Sequence, residues 1–249
     1  MIPLKKVVIS APFGNHIHCK WATSTLGTFT LMPRVNWCRL WWRILSTLRY
    51  YPKMNAWVNR LGLPNRSIYS LDFKKDYSKS IISIHGFNSM EWQWLGYQCA
   101  ELKPLAVEAN LSCPNVTLEA TKNLISGCLS LLRFGVPVIA KLPPVGWREL
   151  LDPLVKNGIN TFHLCNTLAT PAGGLSGTPL KQLSLDAIKT VRKEYNKTLQ
   201  IIGGGGIYTV QDGNDYIEAG ADHIAIASLL LNPFTRWKRL SMLGEKFEQ

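Results

Sequence analysis

The chain has 249 residues, 46% of them hydrophobic and 18% charged, which is enough to bury one sizeable core and fits a single domain. Its formal charge of +12 is lopsided, because residues 1–71 carry ten Lys or Arg and no Asp or Glu while the rest is nearly balanced. The six cysteines (19, 38, 99, 113, 128, 165) form no C-x-x-C pair, which argues against a zinc site or a disulfide framework and fits a reducing cytoplasm.

No stretch approaches the roughly 20 apolar residues of a membrane span, and the apolar run after Lys6 is too short for a signal peptide. Along the chain, short β-rich runs alternate with helical patterns, which predicts a parallel sheet covered by helices. Strands are expected at residues 7–12, 21–26, 80–85, 105–112, 136–142, 161–166, 199–203 and 223–227. Helices are expected at residues 37–50, 89–102, 118–134, 147–157, 185–195, 210–219 and 233–247. Eight strands and seven helices match a TIM (β/α)8 barrel whose first helix is shortened or missing, since residues 15–20 are too few for one of usual length.

In the first of those helices Trp37, Leu40, Trp41, Ile44, Leu45 and Leu48 follow one apolar face, with Asn36 as N-cap and Arg39, Arg43 and Arg49 elsewhere. The spacing predicts a helix packed on the barrel wall; a basic, tryptophan-rich helix also suits a membrane interface. The basic first third is equally compatible with nucleic acid, an anionic membrane surface or an anionic substrate. Residues 67–79 are polar and lysine-rich and are expected to form a surface connection.

Three constellations carry chemistry. The run 105–109 leads into Asn110-Leu111-Ser112-Cys113-Pro114-Asn115, where Pro114 cannot continue a central strand and so turns the chain out of the sheet beside the Cys113 thiol. Lys141 ends the fifth strand among apolar neighbours, so it must meet an anion or a strong acceptor. Glycine-rich turns at 173–177 and 203–206, with Ala227-Ser228 after the last strand, let backbone amides approach a phosphate, and the end of a barrel is where such a site is frequent.

The run Asn-Leu-Ser-Cys-Pro-Asn resembles the catalytic loop of the dihydroorotate dehydrogenases, FMN-dependent TIM barrels of pyrimidine synthesis. Further stretches agree in the family's order: Asn59-Arg60-Leu61-Gly62-Leu63-Pro64-Asn65, Lys141-Leu142-Pro143-Pro144, Cys165-Asn166-Thr167, Gly173-Gly174-Leu175-Ser176-Gly177 and Ile201-Ile202-Gly203-Gly204-Gly205-Gly206-Ile207. The resemblance implies oxidation of dihydroorotate to orotate, with Cys113 as base for the C5 proton and hydride passing from C6 to flavin N5. It implies Asn59, Gly62, Leu63, Asn110, Asn115, Asn166 and Thr167 as substrate contacts. FMN contacts would be Ala11, Thr23, Asn110, Lys141, Asn166, Gly174, Ser176, Gly177, Gly205, Gly206, Ala227 and Ser228, with Lys141 near flavin N1 and O2 and no metal.

Relatives of this type commonly dimerise, and fumarate, an iron–sulfur partner or a quinone can take the electrons; the acceptor stays open. One departure is that aligning Thr23-Ser24-Thr25 puts Ala22 where the family has a lysine, with Lys20 two residues earlier as a partial substitute. Another is a shorter loop after Asn115. Two alternatives therefore stand beside the first reading: a flavin barrel acting on dihydrouracil or on dihydrouridine in RNA, and a non-catalytic flavin- or phosphate-binding barrel.

Overall fold

The computed structural model describes residues 1–34, 42, 44–62, 64–111 and 118–248. Cys113, Asn115, Leu63 and residues 37–41 and 43 of the expected helix 37–50 lie outside them.

In chain order the strands are β1 (Val7–Ile9), β2 (Ala22–Thr30), β3 (Arg49–Tyr51), β4 (Ala56–Asn59), β5 (Arg66–Ser67), β6 (Ser80–Ile84) and β7 (Ala106–Asn110). They continue with β8 (Val138–Leu142), β9 (Thr161–Leu164), β10 (Leu168–Thr170), β11 (Gly173–Gly177), β12 (Gln200–Gly204) and β13 (His223–Ile226). The parallel order β1-β13-β12-β9-β8-β7-β6-β2 closes when β2 pairs back onto β1, giving an eight-stranded (β/α)8 barrel. Its helices are α1 (Ser89–Leu102), α2 (Leu118–Ser130), α3 (Trp147–Lys156), α4 (Pro179–Tyr195), α5 (Val210–Glu218) and α6 (Arg236–Phe247). Between β1 and β2 only a 3-10 turn, Phe13–Asn15, is formed, as the spacing predicts.

Local chemistry explains the boundaries. The Asn88 side chain accepts from the Glu91 N–H at 2.9 Å and starts α1; Thr209 and Asp212 form a reciprocal capping box at α5; Pro179 opens α4 with its fixed φ. Period-two alternation sends one set of strand residues out and the other in. Outward-facing Ile82, Val107, Ala140 and Phe162 join one continuous core with Trp92, Leu95, Leu154 and Ile188 of the helices. Inward-facing Val8, Ile81, Ala106, Ile139 and Ile202 pack with Ile2 in the barrel's lower interior. There the Gln200 side chain accepts from the Ile2 N–H and donates to the Ile2 carbonyl, both at 2.8 Å, so the N-terminal segment stops that end.

Three expectations need correction. Residues 173–177 are not a glycine turn but β11, the middle of an antiparallel sheet of order β10-β11-β4-β3. Glycine serves there because a Cβ on Gly173 or Gly177 would meet the Asn59 carbonyl at 2.3 Å or the Asn55 carbonyl at 2.5 Å. The helix expected to run to Tyr50 ends earlier, because Arg49–Tyr51 is taken by β3 pairing with β4. In its described part Leu45 is 72% exposed, off the wall, whereas Ile44 and Leu48 face the cavity described next. Lys20 is exposed in the turn before β2 and is no substitute for a lysine at the site.

Candidate active site

The barrel opens at the C-terminal ends of its strands into a cavity of about 340 Å³, within the range of small-ligand pockets. Its wall contains Ala11, Asn59, Lys141, Asn166, Thr167, Ser176, Gly177, Gly205, Gly206, Ala227 and Ser228, eleven residues singled out from the sequence. They arrive from the ends of β1, β4, β8, β9, β11, β12 and β13, so barrel closure together with the antiparallel sheet gathers them.

Beneath the mouth lies a charged layer. Register sets Lys141 on β8 beside His163 on β9, and Glu108 comes from β7 on the same inward face as Asn110. Lys141 Nζ is 3.7 Å from Glu108 Oε1, and His163 Nδ1 is 2.8 Å from Glu108 Oε2, all three side chains being buried. Burial alone would raise the Glu108 carboxyl, but the Lys141 charge and the His163 hydrogen bond outweigh it and hold it well below the usual carboxylate range. Burial, reinforced by Lys141, pushes His163 down against the pull of Glu108, so the imidazole is neutral at pH 7. An ionised carboxylate only accepts, so Nδ1 carries the proton and Nε2 presents a lone pair.

Above this layer runs a chain of amides and hydroxyls. Asn166 Nδ2 donates to Asn110 Oδ1 at 3.0 Å, Asn110 Nδ2 donates to Thr28 Oγ1 at 3.2 Å, and Thr28 and Ser83 hydroxyls are 3.0 Å apart. His85 Nδ1 lies 2.7 Å from the Asn110 carbonyl and therefore donates to it, fixing the end of β7 from below. The Asn166 side chain also accepts from the Thr167 N–H at 2.8 Å, and Asn59 Oδ1 accepts from the Leu61 N–H at 3.2 Å.

Other selected residues do not join the wall. Asn110 stands behind Asn166 through the bond just given. Gly174 pairs with Asn59 in the antiparallel sheet, and Gly62 is exposed. Thr23 is placed elsewhere: it registers with Val8, and its hydroxyl accepts from the Lys5 N–H at 2.9 Å, toward the stoppered end. The part of β2 that reaches the amides is Gly27-Thr28, through the bond from Asn110 to the Thr28 hydroxyl. A Cβ on Gly27 (φ +100) would meet the Ser83 carbonyl at 2.5 Å, so this backbone admits no side chain there.

Sequence reading missed Glu108 and His163, although a carboxylate and an imidazole inside otherwise apolar strand runs, in phase with Asn110 and beside Lys141, were the available signal. Cys165 also lines the cavity, but burial pushes its thiol up to about 11, so it is not a resting thiolate.

Fold and site together define a (β/α)8-barrel protein that binds a small ligand at the C-terminal ends of its strands, over a buried cation. The family model for dihydroorotate dehydrogenase matches residues 47–237, and the chain belongs to that family. It is 30% identical over 195 residues to the catalytic subunit of dihydroorotate dehydrogenase B (NAD(+)) of Thermotoga maritima, covering 70% of this chain and 72% of the relative. With the same subunit of Thermoplasma volcanium it shares 28% over 199 residues (70% and 65%), and with dihydroorotate dehydrogenase (quinone) of Bordetella avium 29% over 229 residues (72% and 64%). The chain thus spans about two thirds of the length of these relatives. Among solved structures, DHODH of Eimeria tenella in complex with ferulenol superposes with a TM-score of 0.75 at 17% identity, over 96% of this chain and 79% of that one, which shows the shared fold.

The family's members are FMN-dependent flavoproteins, and the donor set here fits that cofactor. Gly205 (φ +113) and Gly206 (φ +71), with Ser176 and Ser228, offer backbone and hydroxyl donors for a phosphate. Lys141, Asn166 and Thr167 offer a cation and polar groups for the edge of a carbonyl-bearing ring. No described helix is long and apolar enough to cross a membrane.

Proposed function

We propose that the chain is an FMN-dependent oxidoreductase that converts dihydroorotate to orotate. The observation that carries this reading is the convergence in one cavity of Lys141, Asn59, Asn166 and Thr167 with the glycine and serine donors at the ends of β11, β12 and β13. FMN, when bound, supplies the hydride acceptor. Gly205, Gly206, Ser176, Gly177 and Ser228 would hold its phosphate end, and Lys141 and Asn166 its ring. Lys141 contributes a fixed positive charge whose orientation is set before reaction by Glu108, which is electrostatic preorganisation. Asn59, Asn166 and Thr167, backed by Asn110, orient a planar amide-rich ring. Cys113 takes the proton from substrate C5.

Ala22, aligned where the family has a lysine, favours a second reading. A site without the cation that the family places on β2 has one partner fewer for a substrate carboxylate, which suits a neutral ring such as dihydrouracil. One experiment separates these readings: release the cofactor for mass spectrometry, then reduce the protein anaerobically with each dihydropyrimidine and follow flavin bleaching. FMN with fast bleaching by dihydroorotate is expected. Cys113→Ala should slow bleaching by about 10²–10⁴-fold, the contribution of a positioned general base, while orotate still perturbs the flavin spectrum. Equal bleaching rates in parent and Cys113→Ala with both substrates would falsify base catalysis at this residue.

A further inference from the structure

His163 has no counterpart among the expected contacts, yet it lines the cavity and is 1% exposed. Its Nδ1–H is spent on Glu108, and its Nε2 is turned toward β12, where a Cβ built on Gly204 would lie 3.3 Å away. The charged groups at the ring are Glu108 from β7 and Lys141 from β8, and the Cys165 thiol, beyond the end of β9, lines the same cavity; β12 and β13 offer Ile202, Gly204 and Ala225, none of which titrates. Of these only His163 has a proton site free near pH 7. Glu108 is ionised and engaged by the Lys141 cation and the neutral His163 N–H, and the Cys165 thiol holds its proton.

We propose that His163, oriented by Glu108, is a proton-uptake residue of the cavity: when negative charge arrives there its Nε2 takes a proton from solvent. Resting on the flavin reading above, this means that reduction of bound FMN draws in one proton beyond those the cofactor takes. The balance is simple. Two electrons come from the donor and reduce the cofactor, the additional proton comes from water, and the only new bond on the protein is Nε2–H. Glu108 is the positioning residue, because its bond to Nδ1 leaves Nε2 as the basic nitrogen and its charge stabilises the imidazolium that forms.

The test is the midpoint potential of the FMN-loaded protein between pH 6 and 8.5, measured against reference dyes without substrate, in parent, His163→Gln and Glu108→Gln. One extra proton per two electrons changes the reduction equilibrium tenfold per pH unit, which is about 30 mV. The parent should show this added slope over part of the range, and His163→Gln should lose it. Glu108→Gln should move the slope to lower pH. The near-ultraviolet spectrum of the reduced cofactor distinguishes protonation of the flavin itself. Should His163→Gln not fold, proton uptake by the parent during photoreduction, read with an indicator dye in weak buffer, decides alone. FMN bound with the same slope in parent and His163→Gln, or no uptake beyond the cofactor's own, overturns the inference and leaves the flavin reading standing. A parent that binds no FMN overturns both.

Discussion

Glu108→Gln tests the charged layer most directly. The substitution keeps the volume and an acceptor for the His163 Nδ1–H, but it removes the anion that stands 3.7 Å from Lys141 in a site where both side chains are under a tenth exposed. Removing one partner of a buried ion pair strands the other, at a cost of about 3–5 kcal/mol; the retained amide puts the expected loss near the lower end. Acid should show the same linkage in the parent. The folded-state value of Glu108 is depressed, so its contribution is complete above the ordinary carboxylate value of about 4.3 and is lost as pH falls through the folded value. His163 is also depressed, so the folded state binds fewer protons than the unfolded chain below about pH 6.5, and stability declines from there downward. Urea unfolding followed by tryptophan fluorescence at pH 7.5, 5.5 and 4 should give a falling midpoint in the parent, with the fall below pH 4.5 blunted in Glu108→Gln. Glu108→Gln/Lys141→Met should recover most of the loss, because deleting both ions is close to neutral. A single variant within about 1 kcal/mol of the parent at pH 7.5, or a double variant no better than the single, would refute the view that Glu108 neutralises a buried lysine.

Two further outcomes follow from the packing. Gly177→Ala places a Cβ 2.5 Å from the Asn55 carbonyl at a φ of +107, so it should cost about 1–3 kcal/mol and weaken FMN retention, read by thermal unfolding with and without added cofactor; an unchanged melting temperature would count against the tight β4–β11 contact. Arg192 donates to the carbonyls of Gly220 (2.6 Å), Asn196 and Leu199 (both 2.7 Å) and pairs with Asp222, a set that a lysine cannot satisfy; Arg192→Lys should lower stability by about 1–3 kcal/mol in urea while leaving the flavin spectrum unaltered.

The barrel was legible because its strands repeat a pattern that physics reads easily: short apolar runs bounded by glycine, proline and asparagine, all but the first followed by a helical stripe. All eight wall strands fall where alternation places them, and α1 runs from Ser89 to Leu102 as capping and periodicity predict. The antiparallel sheet was not legible. Gly173–Gly177 has no β-rich composition, and it becomes a strand by pairing with β10 and with β4, the latter more than a hundred residues earlier. Lys141, Asn166 and the phosphate-side glycines were visible as strand-end residues with no apolar role. Thr23 was misplaced because a Thr-Ser-Thr run on a nine-residue strand gives no clue to which of its levels reaches the mouth, and β2 extends to Thr30. Glu108 was hidden by its neighbours, since a run of alanine and valine around one carboxylate scores as apolar.

The antiparallel sheet has a consequence for anyone wishing to redesign what this pocket accepts. Its strands come from two separate stretches of chain, 49–59 and 168–177, yet they are stitched by backbone pairing of Asn59 with Gly174 and by the Arg60 guanidinium, which donates to the carbonyls of Ala172 (2.9 Å) and Pro171 (3.3 Å). Among the described residues the eight-stranded wall shares no rung with this sheet. A graft that exchanged both stretches together from a relative would carry its own internal fit and leave the barrel's closure alone. A graft of either stretch singly would bring side chains up against carbonyls that only glycine can approach. Selectivity in this protein is therefore inherited as a matched pair of segments.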